Sequence, residues 1–177
     1  DAHLGSDIRS LGHLGGKRKM EIRESFYKIL ALCEEEKADI LFTSGDLFDQ
    51  PTPDKDLVQQ VIEQMEKIPE TRIFIAPGNH DYCSATSPWL TEIFPKNVHI
   101  FTKPAMEAVT VQELDLTVYG AGYAAMDCPA LLQDFRAKDT GGYHVGVLHG
   151  DPMQLNSPYC PITAEQVRQS GLQYLAL

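Results

Sequence analysis

The chain has 177 residues, 43% of them hydrophobic and 23% charged, with a formal net charge of −10. That length suits one domain with a sizeable core, and the acidic balance argues against a generally basic nucleic-acid-binding surface while allowing an acidic cleft that turns positive only when cations fill it. No apolar run is long enough to span a bilayer and no secretory leader is read; Cys33, Cys83, Cys128 and Cys160 form no C-x-x-C pair, so neither a zinc ribbon nor a disulfide framework is expected, and the thiols read as reduced ones in a cytoplasmic protein.

In chain order, Asp1 and His3 open the sequence in "DAHLG", and the Gly-rich, basic stretch "LGHLGGKRK" follows. From Met20 to Glu36, Ile22, Phe26, Ile29, Leu30 and Cys33 recur at helical spacing. "ADILFTSGD" is a short apolar run ending at Gly45 and reads as a strand. Asp54 to Lys67 is helical again, with Leu57, Val58, Val61, Ile62 and Met65 on one face and Asp54 placed to cap its start. "RIFIAPG" reads as a strand, and "NVHIF", "AMEAVTV" and "LTVYGAG" as three more, closer together and without helices between them. A helix is predicted over Asp127–Lys138, a strand over "YHVGVLHGD", a short helix over Thr163–Ser170 and a last strand at "LQYLAL". This order predicts an α/β domain whose sheet is parallel at first and gains antiparallel strands later, a layered sandwich with helices outside.

Polar residues punctuate this pattern at one recurring place, the end of an apolar strand. Asp1 and His3 form one cluster, Asp46 and Asp49 in "SGDLFDQ" a second, Asn79, His80 and Asp81 after "RIFIAPG" a third, and His149 and Asp151 after "YHVGVL" a fourth. In open α/β sheets the carboxyl ends of neighbouring strands converge on one crevice, so four sequence-distant clusters are expected to meet. Asp, His and Asn without Cys make a hard oxygen and nitrogen ligand set, better suited to Mn, Fe or mixed-metal sites than to structural zinc. A carboxylate shared by two cations holds them about 3.5–4 Å apart, and such pairs activate water for attack on phosphorus.

Each cluster also has a plainer reading. A Gly-Asp after a strand is usually a turn, Asp151 reads as a turn or helix cap, His99 and His144 as strand residues, His13 as a loop residue and Cys83 as packing. What outweighs the plainer reading is coincidence. Asp-x-His, Gly-Asp-x-x-Asp, Gly-Asn-His-Asp and a strand-terminal His occur in this order, each at a strand end.

"DAH", "GDLFD", "GNHD" and "LHGD" resemble the motifs of the calcineurin-like metallophosphoesterases, and "DAHLGS", "GDLFDQPTP" and "VGVLHGD" are most similar to the DNA-repair exonuclease branch, the SbcD-type nuclease subunits. The resemblance runs from Asp1 to Leu177. It implies an α-β-β-α sandwich of two packed mixed sheets flanked by helices. It implies that Asp1 and His3 bind a first divalent metal, that Asp46 bridges to a second, and that Asn79 and His149 bind the second. His80 would then act on the phosphoryl group or the leaving oxygen, with Asp81 orienting it. Asp49 stands where relatives tend to carry His, which leaves its contribution open between a supporting role and none.

The resemblance further implies two divalent ions, with Mn as the working metal and Fe, Zn or Mg as substitutes. It implies DNA as substrate, an SbcC-like ATPase subunit, a homodimer and no membrane. Arg9, Lys17, Arg18 and Lys19 could track a phosphate backbone, or form a solvated loop. Family members also carry a short strand before the Asp-x-His, a Gly-His-x-His motif after the last strand and a DNA-facing capping region. Residues 1–177 are therefore expected to be a metallophosphoesterase (nuclease) domain lacking those parts, and by themselves to bind metal weakly and hydrolyse little. Two rival readings are a small-molecule phosphoesterase on the same fold, such as a cyclic-nucleotide phosphodiesterase or nucleotide-lipid pyrophosphatase, and a metal-free scaffold fragment.

Overall fold

A computed structural model describes residues 1–138 and 141–177. A 3-10 turn over Arg9–Leu14 runs into helix α1, Gly15–Glu35. Strand β1 is Ile40–Ser44, helix α2 Lys55–Glu66, strand β2 Arg72–Ala76, helix α3 Pro88–Thr91 and strand β3 Val98–Ile100. Strands β4, Glu107–Val111, and β5, Leu116–Gly120, precede β6, Tyr143–Val147, helix α4, Ala164–Gln169, and β7, Tyr174–Ala176.

The strands form two sheets. The first, in the order β1-β2-β3, is parallel throughout. The second, β4-β5-β6-β7, is antiparallel only between β4 and β5 and parallel thereafter. Antiparallel pairing therefore enters late in the chain, but it is confined to the β4–β5 connection, which is short enough to be made by one 3-10 turn at Gln112–Leu114.

Three apolar layers hold these elements. Phe26, Leu30 and Cys33 of α1 and Leu57, Val58, Val61, Ile62 and Met65 of α2 pack on Ile73 and Ile75 of β2. The helical spacing of those residues gives each helix one buried stripe, which the parallel sheet covers. Between the sheets, Phe74 and Ala76 of β2 meet Val118 and Val147 of the second sheet. On the outer face of the second sheet lie Tyr123, Cys128, Leu132, Leu148, Cys160 and Ile162. The result is an α/β sandwich of two sheets flanked by helices, the arrangement expected from the sequence.

Helix caps follow the sequence closely. The Asp54 carboxylate accepts from the amides of Asp56 and Leu57 at the start of α2, and Thr163 with Gln166 forms a capping box on α4. The helix predicted over Asp127–Lys138 does not form. Its backbone donors go elsewhere: the Cys128 amide donates to the Pro158 carbonyl, the Ala137 amide to the Ser170 carbonyl and the Lys138 amide to the Tyr119 hydroxyl. Local bonds there are single turns, Gln133 to Ala130 and Phe135 to Leu132. Leu132 is fully buried and Phe135 packs edge-on against Tyr119, so the segment follows the sheet surface rather than a helical period. Among the described residues no helix is long and apolar enough to cross a membrane.

Candidate metal centre

Three strand ends and one tethered segment build the site. β1 ends at Ser44, and Gly45 and Asp46 follow in left-handed backbone, φ +87° and +49°. β2 leads through Pro77 and Gly78 to Asn79, His80 and Asp81, and β6 leads through Leu148 to His149. Residues 2–4 are stitched alongside: the amides of Ala2 and His3 both donate to the Asp46 carbonyl, and Leu4 donates to Leu47. His3 is also left-handed, φ +47°. Two non-glycine residues of one site in this sparsely populated conformation are the kind of strain that surrounding structure must hold in place.

The clusters that strand-end reasoning expected to meet do meet. Asp46, only 3% exposed, stands at the centre. Its Oδ1 accepts from the His80 amide at 2.9 Å, and its Oδ2 lies 3.7 Å from His3 Nε2 and 3.5 Å from His149 Nε2. Possible ligand atoms of His3, Asp46 and His80 lie within 4.8 Å of one another, and so do those of Asp1, Asp46 and His149. Asp1 sits on the His149 side, its Oδ1 3.7 Å from Nδ1; the resemblance had grouped it with His3. The rings of His3 and His80 meet edge to face at 4.7 Å.

The donor set itself points to a cation. His149 Nδ1 faces the Ser44 carbonyl at 3.1 Å. A carbonyl only accepts, so Nδ1 carries a proton. Nε2 lies 2.8 Å from Asn79 Oδ1 and 3.5 Å from Asp46 Oδ2. With Nε2 unprotonated, these three atoms are electron-pair donors aimed at one point, a set that a positive charge holds together. A divalent ion fits, and its ligands would be His149, Asn79 and Asp46, with Asp1 beside them.

Asp49 takes the supporting role that the sequence left open, and Asp81 a different one from that expected. Asp49 Oδ1 lies 3.0 Å from His3 Nδ1, which fixes the proton on that nitrogen and leaves Nε2 facing Asp46. The Asp49 backbone carbonyl accepts from His80 Nδ1 at 3.2 Å. Asp81 was expected to orient His80. Instead its buried carboxylate accepts from the amides of Gly78, at 2.7 Å, and Phe48, at 3.1 Å. It clamps the β2 loop to the β1 loop, because the tight turn at Gly78 points its side chain back into the protein. Burial pushes its pKa above the usual range, against the pull of those amides.

Other groups were outside sequence reasoning altogether. A Cβ on Gly45 would strike the His149 ring, and one on Gly78 would strike the Asp46 carboxylate and come within 2.8 Å of the Asp46 amide. Tyr123, fully buried, packs its ring edge-on against His149 at 5.5 Å, and its hydroxyl has no partner. Close approach of this kind leaves no local pattern in a sequence beyond the glycines themselves. Cys83, below the loop, is buried, and desolvation with Asp81 nearby pushes its thiol up to about 12, in keeping with packing. Asp151 caps a turn, accepting from the amides of Met153 and Gln154.

The four basic residues of the early segment are exposed, and each faces a carboxylate: Arg9 and Lys19 face Asp7 at 3.9 and 3.8 Å, and Lys17 and Arg18 face Glu21 at 3.8 and 3.2 Å.

A family model described as "Calcineurin-like phosphoesterase" matches residues 3–167. Over 192 aligned positions the sequence is 28% identical to a Bacillus subtilis (strain 168) protein named "Uncharacterized metallophosphoesterase YhaO", a match that takes in 100% of this chain and 46% of that protein. The chain thus spans about half the length of the curated relative it matches.

Proposed function

The chain belongs to the calcineurin-like phosphoesterase family, and from that premise we propose that it is the catalytic part of a two-metal phosphodiester hydrolase acting on DNA, of the SbcD exonuclease type. The observation that carries the reaction class is Asp46, shared by two groups of ligand atoms, His3–Asp46–His80 and Asp1–Asp46–His149. His3 with Asp46 would hold one divalent ion, and Asp46, Asn79 and His149 the other, with Asp1 available beside them. Such ions, when bound, polarise the phosphoryl oxygens and lower the pKa of water.

The chain's own residues do the rest. Asp46 supplies the anionic charge at the centre, and its Oδ1 stays fixed by the His80 amide. Asp49 keeps His3 in the tautomer that leaves Nε2 free. His80 is assigned to the substrate. Its side chain is 45% exposed, and Nδ1 is engaged by the Asp49 carbonyl, so Nε2 is the atom that can hand a proton to the leaving oxygen. Positioned proton transfer of this kind contributes about 10²–10⁴-fold.

DNA as the substrate rests on the motif resemblance and on a cavity of about 350 Å³ whose lining includes the cations Lys19 and Arg23 together with Asp54 and Asp56. Exposed ion pairs such as Lys19–Asp7 are worth little, so their cations can exchange a carboxylate for a phosphate. Mn as the working metal, an SbcC-like ATPase partner, a homodimer and a cytoplasmic setting belong to the same reading and rest on the resemblance alone. A small-molecule phosphoesterase is the second reading. It is favoured by the net charge of −10 and by the carboxylates facing Arg9, Lys17, Arg18 and Lys19.

The deciding assay gives the intact protein labelled single- and double-stranded DNA, cyclic nucleotides and dinucleotide pyrophosphates, each with Mn²⁺, Fe²⁺, Zn²⁺ or Mg²⁺. Degradation of DNA with the nucleotides spared supports the nuclease reading; the reverse pattern replaces it with the small-molecule one.

A further inference from the structure

Behind the second sheet, two of the four cysteines meet. Cys128 is 3% exposed and Cys160 is fully buried, within one apolar cluster with Tyr123, Leu132, Leu148 and Ile162. The chain brings them together by a short parallel bridge between Cys128 and Tyr159, in which the Cys128 amide donates to the Pro158 carbonyl and the Cys160 amide to the Cys128 carbonyl, both at 2.8 Å. In a regular strand, neighbours point to opposite faces, so Cys160 would turn away from Cys128 if Tyr159 pairs with it. Cys160 does not follow that rule. Its φ is +48°, a left-handed conformation that non-glycine residues rarely adopt, and both thiols sit in the same buried cluster, within reach of one another.

We propose that Cys128 and Cys160 form a reversible disulfide on oxidation by a hydroperoxide, a redox-sensitive clamp over the segment that packs against the His149 loop. The observations are the proximity of thiols 32 positions apart, the strained backbone at Cys160, and the location. Strain of this kind persists only where surrounding structure holds it. Cys33 and Cys83 lie in a different core cluster, with the helices of the first sheet.

The chemistry balances with hydrogen peroxide as oxidant. The Cys160 sulfur, giving up its proton, attacks one peroxide oxygen. The O–O bond breaks, the departing oxygen leaves as water, and Cys160 becomes a sulfenic acid. The Cys128 sulfur then attacks the Cys160 sulfur, the S–S bond forms, and the sulfenic oxygen leaves as a second water with the remaining thiol proton. Two thiols lose two electrons and one peroxide gains them.

The clamp's reach is set by the hydrogen bonds on its other side. The Asp151 amide donates to the carbonyls of Tyr159 and Cys160, and the Ile162 amide donates to the Asp151 carbonyl. Asp151 follows His149 by two residues. A bond from Cys160 to Cys128 therefore ties the residue-128 segment to the strand beside the His149 loop, and closing that loop restricts the unfolded chain.

The test maps the bond directly. Reduced protein is freed of thiol reagent, kept with a metal chelator, treated with stoichiometric hydrogen peroxide, alkylated with iodoacetamide and digested with trypsin. The Cys128 peptide ends at Arg136 and the Cys160 peptide at Arg168. The expected product is one pair of linked peptides, Cys128 to Cys160, two hydrogens lighter and released by dithiothreitol, with Cys33 and Cys83 alkylated. The oxidised protein should melt several degrees above the reduced one, and Cys160→Ala should lose both link and shift. Unreacted thiols, over-oxidation to sulfinic acid without a link, or links to Cys33 or Cys83 in equal yield would overturn the proposal. If Cys160→Ala does not fold, the wild-type peptide map decides alone.

Discussion

The Asp49 carboxylate lies 3.0 Å from Nδ1 of His3, a contact between residues 46 positions apart. It places a carboxylate behind one imidazole of the site while Asp46 stands in front of that imidazole, with Oδ2 3.7 Å from Nε2. The two aspartates of "GDLFD" therefore differ in kind, and substitution separates them. Asp46→Asn in the intact protein should abolish hydrolysis, since the shared anion at the centre is lost. Asp49→Ala should cost about 10–100-fold in metal affinity or activity, the usual size for a group that orients a ligand. Asp49→Asn, which keeps an acceptor for the Nδ1 proton, should cost less. Rates at saturating Mn²⁺ test the order; equal residual activity in Asp46→Asn and Asp49→Ala would contradict it.

His80→Ala should leave metal affinity nearly intact and lower turnover by about 10²–10⁴-fold. The ring is held by a backbone carbonyl rather than by another ligand, and half of it faces solvent. Calorimetric Mn²⁺ titration of the variant is the accompanying measurement. Affinity that falls together with the rate would make His80 a ligand.

Gly78→Ala should disable the site while leaving the sheet intact. The added methyl would press on the Asp46 carboxylate, on the Asp46 amide at 2.8 Å and on the His149 ring at 2.9 Å, closer than real Cβ atoms come to backbone. Mn²⁺ affinity should drop while circular dichroism is unchanged. A variant that binds Mn²⁺ as the wild type does would show that the two loops have room to part.

How much of this was legible follows from the range of each signal. Helices α1 and α2 were readable because a buried stripe repeats every three or four residues, and the meeting of Asp46, Asn79 and His149 because parallel strands send their carboxyl ends to one side. The Asp127–Lys138 helix was misread because Leu131, Leu132 and Phe135 have helical spacing although their backbone donors are claimed by Pro158, Ser170 and Tyr119. Asp81 departs from its expected part for a similar reason. Adjacency in sequence put Asp81 beside His80, whereas the turn at Gly78 sends its carboxylate to the backbone. Tyr123 behind His149 left no trace in sequence, since nothing local marks a residue whose role is to touch a distant ring.

His99 gives the fold a pH dependence. Its Nε2 is buried without a partner between Phe74 and Phe101, and burial lowers its pKa below 6.5, with Glu107 pulling weakly the other way. The folded state thus favours the neutral ring, and the unfolded chain takes up a proton first. Stability is complete above about pH 6.5 and is lost as pH falls toward the depressed folded value. Chemical denaturation between pH 8 and 5, with chelator present, should show a shallower loss for His99→Phe than for the wild type. Parallel curves would assign the acid limb to other groups.

The proposed reaction requires Asp46 to stand between two divalent ions. Crystals of the intact protein soaked in Mn²⁺ and measured at a wavelength where manganese scatters anomalously test it most directly. Two peaks are expected about 3.5–4 Å apart, one toward His3 and one toward Asn79 and His149, with the Asp46 carboxylate touching both. A single peak for which Asp46 is a terminal ligand, or manganese bound away from Asp46, would rule out a bridging Asp46.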